Sequence, residues 1–176
     1  MNGNEPIQFE QAILPHLDAA YNLARWLTGN DQDARDVVQE ASLRALKFFS
    51  GFRGTNSRAW LLTIVRNTFY NWLEKNRPHQ VSMAGDEELL AMEDPSVDPA
   101  LLFSRSANIE AVRGAIEQLP VEFREIIVLR ELEDCSYKEI ADVAGVPIGT
   151  VMSRLARARK QLQEILTEKP AAGGRV

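Results

Sequence analysis

The chain has 176 residues, 45% apolar and 26% charged, which is enough to bury one core or two small ones and too apolar for disorder throughout. No apolar run approaches the roughly 20 residues that a membrane span needs. Residues 1–20 lack a basic start, an apolar stretch and a small-residue cleavage site, so the expectation is a cytoplasmic protein without a secretory signal. The single cysteine, Cys135, has no internal disulfide partner, and His16 and His79 stand apart without ligand-like neighbours. Neither a metal site nor a cofactor is expected.

Glycine and proline are few and cluster at boundaries, which favours long helices. Leu17, Ala20, Tyr21, Ala24 and Leu27 recur at spacings of three and four, and Gly29-Asn30 ends that helix. A second helix follows, with Asp31 and Asp33 suiting its positive N-terminal end and Ala34, Val37, Val38, Ala41, Ala45 and Leu46 forming its buried stripe. Gly51 and Gly54 bracket a turn, and the next segment runs from Ser57 to Arg77 without Gly or Pro. On this third helix Leu61, Leu62, Val65, Phe69, Trp72 and Leu73 fall within an arc of about 120°. Trp60, Thr63, Asn67, Tyr70 and Asn71 take the opposite side. Rings can stack on unpaired bases, amides can bond base edges, and Arg58, Arg66, Lys75 and Arg77 nearby can hold phosphates. The alternative is that Trp60 and Tyr70 pack on a neighbouring helix.

The net charge of −5 hides an uneven distribution. Residues 44–77 hold seven bases against Glu74 alone, residues 79–104 hold six acids and no base, and residues 151–163 hold Arg154, Arg157, Arg159 and Lys160 with no acid. The acidic stretch, interrupted by Gly85, Pro95 and Pro99, is expected to be a linker. Two basic patches joined by an acidic tether suit a bipartite binder of phosphate backbones. Two solvated helix faces would show the same charges.

Past the linker, residues 106–118 look helical, stop at Leu119-Pro120 and resume with EFREIIVLREL. Ser136 and Glu139 have the S-x-x-E spacing of a capping box. Ile140, Ala141, Val143 and Ala144 give a short apolar face, Gly145 permits a tight turn, and Pro147 sits near the start of another helix. On that helix Val151, Leu155, Ala158, Leu162 and Ile165 are expected inward. Thr150, Met152, Ser153, Arg154, Arg157 and Lys160 are expected outward or on the flanks. This is the pattern of a DNA-reading helix-turn-helix, with a helical hairpin in a bundle as the alternative.

Four segments, DARDVVQEASLRAL, FRG with AWLLTIVRNTFYNWL, LP-x-x-x-R-x-x-x-x-L-R and SYKEIADVAGVPIGTVMSRLARAR, occur in this order. Together they resemble the extracytoplasmic-function (ECF) sigma factors of the sigma-70 family, over about residues 10–166. The resemblance implies an all-α protein of two small helical domains. Residues 1–78 would be a region 2 domain, 79–104 the linker, 105–168 a region 4 domain and 169–176 a disordered tail. It implies a non-catalytic specificity subunit that binds core RNA polymerase, at the clamp helices of the largest subunit and at the flap, and directs it to promoter DNA. Asp33, Asp36, Val37, Gln39, Glu40, Leu43 and Arg44 match the segment that docks on the polymerase. Arg58, Trp60, Arg66, Asn67, Tyr70 and Asn71 lie on the helix similar to the minus-ten reader, where a base is flipped as the duplex opens. Pro147, Gly149, Thr150, Met152, Ser153, Arg154 and Arg157 align with the minus-thirty-five recognition helix. Met152 departs from the usual Lys or Arg there, and Ala156 from a bulkier residue. An anti-sigma partner, in some cases membrane-bound, is implied in the same way. A free-standing helix-turn-helix activator is the competing function; a helical enzyme lacks any phosphate loop, metal spacing or nucleophile-base pair.

Overall fold

The computed structural model describes residues 3–78 and 109–168. The expected linker and tail lie outside the described residues. Among those described, all regular structure is helical. The chain divides into two compact units, the first comprising the helices of residues 3–78 together with residues 139–145, the second the remaining described residues.

The first unit opens with α1 (Glu5–Ile13), a helix the spacing of apolar residues does not predict, and continues through α2 (Leu17–Thr28), α3 (Asp31–Phe48) and α4 (Ser57–Asn76). Gly29 ends α2 in the left-handed conformation, φ +87°, with its N–H bonded to the Arg25 carbonyl at 3.0 Å. This is the stop signal expected of glycine at a helix C-terminus. One residue on, the Asn30 side chain accepts from the Asp33 N–H at 2.8 Å and starts α3, and Asn56 caps α4 by accepting from the Ala59 N–H at 3.0 Å. Helices α2, α3 and α4 pack on one another, and α1 packs on α4. Leu23, Leu27, Val37, Leu61, Leu62, Val65 and Phe69 fill the core.

Three expected core positions of this unit differ, among them Val38 of α3, which is half-buried. Leu46 is 45% exposed, because it lies about 100° round α3 from Ala45 and thus off the stripe formed by Ala34, Ala41 and Ala45. Trp72 is half-buried. Its indole stacks beside Phe69, with ring centroids 6.1 Å apart, and carries the Arg77 guanidinium 5.3 Å from its centroid.

After the undescribed stretch come α5 (Ile109–Gln118), α6 (Val121–Ile127) and a π-helical turn over Val128–Leu132, then α7 (Tyr137–Ala144) and α8 (Ile148–Glu168). Helix α8 packs on α6 and α5. Both arginines of the LP-x-x-x-R-x-x-x-x-L-R segment have local structural partners. Arg124 donates to the Leu119 carbonyl at 3.2 Å across the α5–α6 corner. Arg130 donates to the Cys135 carbonyl at 2.9 Å and lies 4.6 Å from the Tyr137 ring centroid, so it ties the π turn to the start of α7. Cys135 is fully buried, as a small apolar side chain would be.

Candidate nucleic-acid interface

The outward side of α4 holds Asn67 and Asn71, one turn apart and both exposed. Their amides are the donors and acceptors the sequence places there. The aromatic residues differ from expectation. Trp60 is half-buried, its indole 4.8 Å from the Phe52 ring and 6.2 Å from Phe49, and Phe49 meets Phe9 of α1 edge-on at 5.4 Å. The packing alternative therefore holds for the Trp60 ring, which anchors the turn between α3 and α4. Tyr70 is half-buried, edge-on to Phe69 at 5.2 Å, with the Arg66 guanidinium 4.4 Å from its centroid. Arg58, also half-buried, lies near His16. The His16 pKa is lowered, chiefly by burial and secondarily by this guanidinium.

Phe49 and Phe52 were not among the candidate residues. The signal was present as aromatic residues inside a glycine-bracketed turn, FFSGFRG. Beside them a cavity of about 630 Å³ opens between the first turns of α1 and this segment, lined by Asn4, Glu5, Gln8, Ser50, Arg53 and the two rings.

On α3, Asp36, Gln39 and Glu40 are exposed, and Leu43 is 63% exposed. Glu40 pairs with Arg44 at 2.7 Å across one turn, an exposed pair of small energetic weight. Val37 corrects the expected docking set. At 1% exposure it belongs to the core and has no surface to offer. Asp33 is half-buried; its backbone N–H is bonded by Asn30, and Arg77 approaches its carboxylate at 3.6 Å. Beyond Leu43 the same side continues through Leu46, while the 57% exposed Phe48 at the end of α3 lies about 140° round the helix from Leu43.

In the C-terminal motif, α7 begins one residue after Ser136, where the capping-box spacing puts its start. Gly145 takes φ +68° with its N–H bonded to the Ala141 carbonyl at 2.9 Å, and α8 follows after Pro147. Pro147, Gly149 and Met152 are exposed; Thr150, Ser153 and Arg157 are half-buried. The Ser153 hydroxyl donates to the Gly149 carbonyl at 2.9 Å. Arg154 is a correction, since it is 6% exposed rather than outward. Helical geometry gives the reason. Arg154 lies about 60° from Val151 and about 40° from Ala158, both inner positions. Ala156 is buried at 7%. Arg159, counted above in the basic patch, points both its Nε and Nη2 at Glu131 Oε1, at 3.2 and 2.7 Å, in a largely buried pair.

An all-helical chain with a helix-turn-helix formed by α7, the Gly145 turn and α8 defines a class of known proteins. Residues 12–79 match the family model of Sigma-70 region 2 and residues 109–162 that of Sigma-70, region 4. Among related proteins, the chain is 32% identical to the ECF RNA polymerase sigma factor SigE of Mycolicibacterium smegmatis over 91% of its own length, and spans 62% of that relative's length. It is 35% identical to the RNA polymerase sigma-H factor of Pseudomonas aeruginosa, covering 91% of this chain and 89% of that one. Among solved structures, the sigma factor RpoE of Bartonella quintana, in complex with the anti-sigma factor NepR, superposes with a TM-score of 0.69 at 30% identity. That match covers 91% of this chain and 97% of the other. The chain belongs to the ECF sigma factors of the sigma-70 family.

Among the described residues no helix is long and apolar enough to cross a membrane, and no cluster of His, Cys, Asp or Glu could hold a metal ion.

Proposed function

We propose that this chain is a promoter-specificity subunit without catalysis of its own, which binds core RNA polymerase in the cytoplasm and directs it to promoters with two separated elements. The observation that carries this reading is the presence, in one chain, of both the region 2 and the region 4 matches. An activator that binds duplex operators needs only the second. The domains are taken as residues 1–78 and 105–168, joined by the acidic segment 79–104 and followed by a tail over 169–176.

Within this reading, Asp36, Gln39, Glu40, Leu43 and Arg44 dock on the clamp helices of the polymerase. The exposed Leu46 extends that face with apolar area of the kind interface cores use. Asn67 and Asn71 read single-stranded minus-ten bases, with Arg58 and Arg66 holding the backbone. The cavity beside Phe49 and Phe52 has room and aromatic walls for one unstacked base. Extruding that base costs a few kcal/mol, which stacking must offset. Thr150, Met152, Ser153 and Arg157 meet the minus-thirty-five duplex. The structural relative in complex with an anti-sigma factor supports an inhibitor of the same kind here.

The test combines purified chain with purified core polymerase, on a promoter found by mapping transcript starts after overproduction. A stable holoenzyme that initiates at that start is expected, together with weak promoter binding by the chain alone. Nanomolar operator binding by the isolated chain at physiological salt, with no complex formed with core, would favour the free-standing activator instead. Asn67→Ala is expected to impair strand opening while sparing upstream binding.

A further inference from the structure

The first two turns of α8 present an apolar pair that the described residues leave largely uncovered. Ile148 and Met152 are 45% and 53% exposed and lie about 40° apart on one side of the helix. Between them in sequence stands Gly149. A Cβ placed there would meet nothing within 4 Å, and its φ is not positive. Neither packing nor backbone geometry therefore calls for glycine, and glycine weakens a helix relative to alanine. What its missing side chain does provide is room for another surface to come close to the backbone.

The arginines of α8 lie away from this pair, since Arg154 is buried, Arg159 is engaged with Glu131, and the half-buried Arg157 stands about 140° round the helix from Met152. A methyl and a thioether surface, with Gly149 and then Ser153 following round one side of the helix, is what α8 offers at this place. Among the groups that bases show in the major groove, the C5-methyl of thymine is the apolar one, whereas guanine O6 and N7 call for paired donors that Met and Ile lack.

We propose that Met152, with Ile148 beside it, selects thymine at one position of the upstream promoter element by covering its C5-methyl in the major groove, while Gly149 lets the groove edge approach. This rests on α8 being the minus-thirty-five recognition helix. The experiment uses holoenzyme made from the full chain and core polymerase. Bound promoters are selected from a library randomised in the upstream element, and each thymine of the selected element is then replaced by deoxyuridine, which removes the methyl alone. One such replacement is expected to weaken binding about fourfold, the worth of one buried carbon. Met152→Ala should bind the thymine and deoxyuridine promoters equally, and Met152→Arg should shift the preference at that position to guanine. Gly149→Ala should weaken upstream binding without lowering the melting temperature. Selection of a defined upstream element with no sensitivity to any thymine methyl overturns the proposal and leaves the recognition helix in place. Protection of Met152 by a protein partner together with that insensitivity also overturns it, and assigns the face to the partner. Failure to select any upstream sequence would instead remove the reading of α8 on which the proposal rests.

Discussion

The two units treat their basic residues differently. In the first, the cations beside the amide face sit on or near its surface. Arg66 lies over Tyr70, Arg77 lies over Trp72, and Lys75 is exposed. In the second, arginines are largely structural: Arg124 and Arg130 hold carbonyls, Arg159 pairs with Glu131, and Arg154 is buried. Only part of a positive sequence patch is thus charge available to a phosphate.

The sharpest way to break this contrast is Glu131→Ala. It leaves the largely buried Arg159 without its partner, and a loss of about 3 kcal/mol is expected in urea unfolding. If Arg159 were instead a phosphate contact, stability would hold and promoter affinity would fall. In the first unit, the Thr68 hydroxyl is fully buried and has no hydrogen-bond partner among the described residues. Thr68→Val removes that uncompensated group and should raise stability by about 1 kcal/mol, read as a higher denaturation midpoint.

A smaller effect separates exposed from buried charge within α8. Lys160→Ala should lower the slope of log affinity against log salt by about 0.9 in holoenzyme binding to promoter, as expected for one lost phosphate contact. Arg154→Ala should leave that slope unchanged and lower the melting temperature. Smallest is a pH effect in the first unit. Because the His16 pKa is lowered in the folded state, chiefly by burial and secondarily by Arg58, the unfolded chain takes up the proton first. Stability should therefore be fullest above the ordinary histidine range and decline as pH falls from about 6.5. His16→Gln should flatten that part of the profile of melting temperature against pH.

Much of the fold was legible because its signals are local. Gly29, Asn30, Asn56, Pro120 and Gly145 sit where helices end or begin, and apolar spacing marked the inner faces of α2, α4 and α8. Helix α1 escaped notice, its apolar residues being too few to set a period. The π turn escaped too, because EFREIIVLREL reads as continuous α-helix until the Glu133 N–H reaches back to the Val128 carbonyl at 3.0 Å. Among the candidate interface residues, Asn67, Asn71, Asp36, Gln39, Leu43 and Met152 are accessible as expected, while Val37 and Arg154 are not. Val37 belongs to the buried stripe that its spacing sets, and at 100° per residue Arg154 falls within about 60° of the inner positions Val151 and Ala158.

By itself the sequence determined the helical class, the helix-turn-helix and the kinship with sigma factors. Each of these depends on periodicity, caps and short ordered motifs, which act over a few residues. Only the tertiary structure decided which cations are engaged within the protein, that the Trp60 ring is anchored by Phe49 and Phe52, and that Leu46, Phe48 and Ile148 face outward. Those outcomes depend on which side chains distant segments bring within a few ångströms, and spacing along one helix does not specify its neighbours.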